Sequence, residues 1–155
     1  MFTTFMNLAL EEARLAYKKN EIPVGCVIVK GDAEVIGRGH NLAIQAGNPI
    51  NHAEIIAAQN ALENLNHGTD GIISSFQDHD ISAYVTLEPC TMCLSYLSML
   101  RIKKIFYGLA DHKFGGINRI FDAQSALFRP EIFYIEQLES RDLLERFFRN
   151  LRQGK

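Results

Sequence analysis

Thr86-Leu87-Glu88-Pro89-Cys90-Thr91-Met92-Cys93 runs an apolar, β-type segment into a proline and then sets two thiols three residues apart. Residues 81–87 read as a strand and residues 91–99 as a helix. Pro89 suits the start of the turn or helix, where a missing N–H is not needed. The thiols of Cys90 and Cys93 therefore stand where a strand passes into a helix. Both reach one metal ion from there, and the positive end of the helix lowers thiol pKa and favours the thiolate ligand form. A strand that hands over directly to a helix is the unit of a layered α/β domain.

Upstream, Asn51-His52-Ala53-Glu54 opens a second helix, expected over 52–65 with Asn51 as its N-cap. The N–H groups of its first turn are unsatisfied and the local potential is positive. One histidine with two cysteines makes a mixed N/S site suited to Zn²⁺, so His52, Cys90 and Cys93 are the expected metal ligands. Three protein ligands leave the fourth tetrahedral position open, as in a catalytic zinc site. Water there loses a proton near neutral pH. Glu54, two residues from a ligand and free of the metal, is placed to move that proton.

Other readings of the pieces exist. A Cys-x-x-Cys alone is often half of a structural zinc site or a redox pair, and a His-x-Glu alone is usually a solvated helix start. A redox pair leaves His52 and Glu54 unexplained. A closed structural site needs a fourth ligand, and His40, His67, His79 and His112 stand at no ligand spacing. The joint pattern favours catalysis.

The rest of the chain alternates in the same way. Apolar spacing predicts a helix over 5–19, broken by Asn20-Glu21-Ile22-Pro23. A buried strand over 24–29 turns through Lys30-Gly31-Asp32 into a second strand over 34–39, forming a hairpin. Residues 42–50 read as loop, and 66–80 as a long exposed loop. Strands are expected over 104–108 and 132–135, a Gly-rich loop over 110–118 and a short helix over 121–127. Ser140 is expected to cap a last helix that runs to about Arg152, with Leu143, Leu144, Phe147, Phe148 and Leu151 on its apolar side.

The chain has 155 residues, 47% of them hydrophobic and 22% charged, which fits one globular domain over 1–155. Three cysteines and no basic, apolar leader argue against a secreted disulfide framework. Cys26, alone in an apolar run, is expected to be a buried core residue. No apolar run approaches the roughly 18–20 residues of a membrane span. A soluble, cytoplasmic protein is expected. The net charge of −2 neither requires nor excludes a nucleic-acid partner. Arg101, Lys103 and Lys104, with Arg141, Arg146, Arg149, Arg152 and Lys155 on the last helix, fit an RNA partner without requiring one, since such a charge run is more often a solvated face.

His-x-Glu followed by Pro-Cys-x-x-Cys resembles the signature of the zinc nucleobase deaminases. The likeness extends along nearly the whole chain. Glu21-Ile22-Pro23-Val24-Gly25, Gly39-His40-Asn41, the run from Tyr84 to Cys93, Asp111-x-Lys113-x-Gly115 and Phe147-Phe148-Arg149 resemble the bacterial tRNA-specific adenosine deaminases. The resemblance implies a three-layer α/β/α cytidine-deaminase-like fold with a central mixed sheet of about five strands. It implies hydrolytic conversion of a wobble adenosine to inosine in a tRNA anticodon loop, with one Zn²⁺ per subunit and Glu54 as the proton carrier. It further implies substrate contacts from Asn41, Ala53, Asp111 and Lys113, and a homodimer with pockets near the subunit boundary. Two alternatives stand beside it: deamination of a free guanine, cytosine or cytidine, and a non-catalytic zinc subunit that positions RNA. The retained Glu54 counts against the second alternative, and the tRNA-type C-terminal half against the first.

Overall fold

The computed structural model describes residues 1–121 and 126–154. The apolar run after Pro23 becomes β1 (Gly25–Lys30), which returns as β2 (Glu34–His40) in an antiparallel hairpin with a bulge at Ile28/Val29. On its other side β1 pairs antiparallel with β3 (Ile81–Val85). Parallel pairing then adds β4 (Lys104–Tyr107) and β5 (Glu131–Tyr134), so the order is β2-β1-β3-β4-β5. Parallel neighbours need a crossover, and between β3 and β4 it is α3 (Thr91–Met99). The expected mixed five-stranded sheet is present.

Period-two alternation divides the core between the two faces. Cys26, Ile28, Ala83, Val85 and Ile105 pack with α3 and α2 (Ala53–Asn66). Val27, Val29, Tyr84 and Phe106 pack with α1 (Phe2–Lys18). Helix α5 (Leu138–Arg152) joins α1 through Leu10, Ala13 and Leu143, and the Arg14 guanidinium donates twice to Glu139 at 2.8 Å. The result is α/β/α. Each large side chain buried in it, such as Ile28, Ile105 or Leu97, contributes about 1.5–3 kcal/mol.

Small residues bring α2 onto the hairpin. A Cβ at Gly37 would collide with the carbonyl of Ala57, and one at Gly39 with the α2 backbone at Ala53 and Ala57. Asn60 and Asn64 donate to the carbonyls of Arg38 and Ile36 at 2.8 and 2.7 Å, covering the outer edge of β2. This close docking sets where the N-terminus of α2 ends up, and therefore where His52 and Glu54 stand.

Several expectations need correction. The N-cap of α2 is His52, not Asn51, and the bond to its first turn comes from Asn41, far back in sequence. The N-cap of α5 is Gln137; Ser140 lies inside the helix with its Oγ buried and unpaired. Helix α1 starts at Phe2, ahead of the expected residue 5, because Phe2 stacks on Phe106 at 5.0 Å. The 66–80 segment is not simply exposed. Phe76 is completely buried within the α2/α3 side of the core, and its N–H bonds the Leu100 carbonyl at 2.6 Å. A single-turn α4 (Ile117–Ile120) begins inside the expected 110–118 loop and runs two residues past its end. Most of the helix expected over 121–127 lies outside the described residues. Strand ends differ from expectation by one or two residues, which is ordinary fraying.

Candidate active site

The site forms where two helix starts meet at one end of the sheet. The Thr86 hydroxyl accepts the Gly25 N–H at 3.1 Å and fastens the end of β3 to β1. Four residues later Cys90, in extended conformation, caps α3. His52, also extended, caps α2. The two caps face each other. His52 Nδ1 lies 3.7 Å from Cys90 Sγ and 3.4 Å from Cys93 Sγ. Their ligand atoms all fall within 4.8 Å of one another, and among the described residues no other His, Cys, Asp or Glu group does this.

These distances test the fit of zinc. Bonds of about 2.0–2.1 Å to nitrogen and 2.3 Å to sulfur at a tetrahedral angle put nitrogen and sulfur about 3.6 Å apart. The observed separations bracket that value, so the trio fits zinc without rearrangement. Protonation follows the same geometry. Donation from Cys93, then the bond to His52, draws the Cys90 thiol down to about 4. Donating to Cys90, together with burial, pushes Cys93 up. His52 rises above the usual imidazole value, first through its bond to Cys90. A dication placed among them favours thiolate at both sulfurs.

Glu54 sits in the first turn of α2 and is only 4% exposed. Burial pushes its carboxyl up to about 7, and the Cys90 charge adds to the rise. A carboxyl balanced near neutrality both accepts and returns a proton. Asn41 is buried beside it. Its Oδ1 accepts the Ala53 N–H at 2.9 Å, which identifies the other side-chain atom as Nδ2. That nitrogen makes no protein hydrogen bond among the described residues, so it remains available as a donor to a ligand. Ala53 itself is fully buried and contributes its backbone N–H to Asn41, not its side chain to the cavity.

A cavity of about 830 Å³ opens over these groups. Asn41, His52, Glu54 and Cys90 lie in its wall, with Leu144 and Phe148 of α5 and the loop bearing Asp111, Lys113 and Phe114. That loop is pinned to the metal segment by Glu88, which was not singled out from the sequence. The Glu88 carboxylate accepts the N–H of Asp111 at 3.0 Å and of Ile117 at 3.4 Å. The Gly116 N–H bonds the Pro89 carbonyl at 2.8 Å, and a Cβ at Gly115 would strike the Glu88 carboxylate. Asp111 turns inward: its Oδ1 accepts the N–H of Lys113 and of Phe114, both at 3.0 Å. A second unanticipated carboxylate, Glu21, is buried and accepts the N–H of Ile44 and Gln45, holding the 42–50 loop. Both glutamates lie in stretches already notable in sequence, but the amides they bond are brought to them only by folding. Of the basic residues, Arg141, Arg149 and Arg152 line a smaller hollow that adjoins the cavity at Leu144 and Phe148. Arg101, Lys103 and Lys104 do not line either space.

A family model described as the cytidine and deoxycytidylate deaminase zinc-binding region matches residues 2–109. A tRNA-specific adenosine deaminase of Rickettsia typhi is 41% identical over 95% of this chain and 97% of its own length. One of Streptococcus pyogenes serotype M1 is 35% identical over 99% of this chain and 86% of its own. A solved structure from work on A-to-I editing by tRNA:A34 deaminases superposes with a TM-score of 0.73 at 35% identity, covering 86% of this chain and 98% of that one. The convergent His-Cys-Cys trio, the buried glutamate beside it and this near-full-length likeness agree: the chain belongs to the zinc-binding cytidine and deoxycytidylate deaminase family, alongside the tRNA-specific adenosine deaminases.

Proposed function

We propose that this protein is a single deaminase domain that hydrolytically converts the wobble adenosine of a tRNA to inosine. The observation that carries the reading is a buried carboxyl, Glu54, beside a trio of zinc-type ligands in the wall of a nucleotide-sized cavity. His52, Cys90 and Cys93 would hold the zinc, which supplies the acidity that makes water a nucleophile at neutral pH. Glu54 takes the proton of the attacking water and delivers it to N1 of the adenine. Oxygen bonds to C6 as a hydroxyl; Glu54 then takes that hydroxyl's proton and passes it to the amino group as the C6–N6 bond breaks and the C6 oxygen becomes a carbonyl. Water is consumed and ammonia released, with no redox change. The Asn41 side-chain nitrogen donates to the base. The Lys113 ammonium faces the strand's phosphates.

The reading extends to a homodimer in the cytoplasm. No helix among the described residues is long and apolar enough to cross a membrane. Incubating the zinc-loaded protein with unmodified tRNA and, separately, with free adenosine, guanine and cytidine tests the substrate. Inosine in tRNA alone is expected; turnover confined to the free compounds overturns the assignment. Glu54→Ala is expected to retain one zinc per chain and lose about 10²–10⁴-fold in kcat. Full turnover by that variant removes Glu54 from the mechanism. Sedimentation of the purified protein tests the dimer.

A further inference from the structure

Phe114 is 59% exposed although it is a large apolar side chain. It stands in the cavity wall, and no other aromatic ring stacks on it among the described residues. Its exposure does not come from a loose backbone. The Phe114 N–H and its neighbour's are both held by Asp111 Oδ1, the Asp111 N–H is held by Glu88, and the Gly115 N–H bonds the Asp111 carbonyl at 2.9 Å. The backbone that carries the ring is thus preorganised, and the ring is an exposed apolar face in the same cavity wall as His52 and Glu54. Lys113 Nζ lies 5.1 Å from its centroid, so a cation and a π-surface occupy one spot. Aromatic faces next to a cationic track are how proteins hold single-stranded nucleic acid, because every base has a π-face and every linkage a negative charge.

Resting on the tRNA reading above, we propose that Phe114 is a stacking platform for a second nucleobase of the RNA, the neighbour of the reactive adenosine, and that Lys113 draws in the phosphate joining the two. The cavity then recognises a strand and not an isolated adenosine, because the flanking base supplies binding that a free nucleoside cannot offer.

The test uses the full zinc-loaded chain and an anticodon stem-loop RNA with adenosine at the wobble position, either intact or abasic at the 5′ or the 3′ neighbour. Phe114→Ala is expected to lower kcat/KM on intact RNA by about tenfold to a hundredfold, while Phe114→Trp stays within a few-fold of wild type. In the wild type, removing the base on one flank is expected to cost about as much, and in Phe114→Ala the same removal costs little more. Phe114→Leu, which keeps apolar bulk without a π-face, should behave like Phe114→Ala and serves if the alanine variant folds poorly, as judged by zinc content and circular dichroism. Equal kcat/KM for wild type and Phe114→Ala, or losses from the abasic flanks that are the same in both proteins, overturn the platform while leaving the deaminase reading intact. Absence of inosine from the wild-type reaction overturns the tRNA reading and the platform together.

Discussion

At the scale of single residues, the proposed chemistry depends on where one carboxylate and one amide are buried. Glu54 in the folded chain holds its proton up to about 7, against 4.5 for an ordinary glutamate. A raised carboxyl pKa means that the folded state binds the proton more tightly than the unfolded state. Its stabilisation is therefore fully present below pH 4.5 and is lost as pH rises through 7. Glu54→Gln does not titrate, so the stability of metal-free variant relative to metal-free wild type should increase from pH 5 to pH 8, by up to about 2–3 kcal/mol. Urea melts of the chelated proteins across that range would show it, and a pH-independent difference would contradict it. On the proposed reading Asn41 has two jobs, one for each side-chain atom: Oδ1 accepts the Ala53 N–H and Nδ2 donates to the base. Asn41→Ala should lose about 1 kcal/mol of stability with the α2 cap and should also raise KM. Asn41→Asp retains the capping oxygen but not the donor, so it should keep most of the stability and still raise KM.

At the scale of elements, the site depends on how closely α2 lies on β2. Gly37→Ala places a methyl against the Ala57 carbonyl, so the helix must shift. A loss of about 1–3 kcal/mol is expected, with weaker zinc retention because His52 caps the shifted helix. Thermal melts and competition with a zinc chelator measure both; unchanged zinc affinity would show that the α2 N-terminus tolerates the shift. The Glu88 anchor belongs at this scale as well, since one side chain ties the segment carrying Cys90 to the loop carrying Lys113 and Phe114. Element types were readable from periodicity throughout the described sheet and long helices. Their ends were not. Asn51 looks like a cap in sequence, yet the amide of Ala53 finds its partner in Asn41. Hydrogen-bond competition at a helix end is settled by whichever acceptor the packing brings closest.

At the scale of the whole molecule, stability and chemistry are separable. Phe76 fills the core on the α2/α3 side without lining the catalytic cavity. Phe76→Ala should cost about 3–5 kcal/mol and yet leave one zinc per chain and normal inosine formation below its lowered melting temperature. Loss of zinc at temperatures where the variant is still folded would mean that the 66–80 segment supports the site. The third layer contributes more directly, because α5 lends Leu144 and Phe148 to the cavity wall while it is fastened to α1 through Arg14–Glu139 and Leu143.

What the sequence determined by itself was the zinc-type ligand set and the alternation of strands and helices. Ligand identity and hydrophobic period are local properties of residue type and spacing, so His52, Cys90, Cys93 and Glu54 could be picked out before any fold was known. The tertiary structure alone decided which oxygen caps α2, how far burial raises Glu54, which amides Glu88 and Glu21 satisfy, that Phe76 is core, and that Phe114 is exposed in the same cavity wall as His52 and Glu54. Each of these depends on surfaces distant in sequence coming together. Desolvation and long-range hydrogen bonds arise from that meeting and leave no periodic trace in the chain.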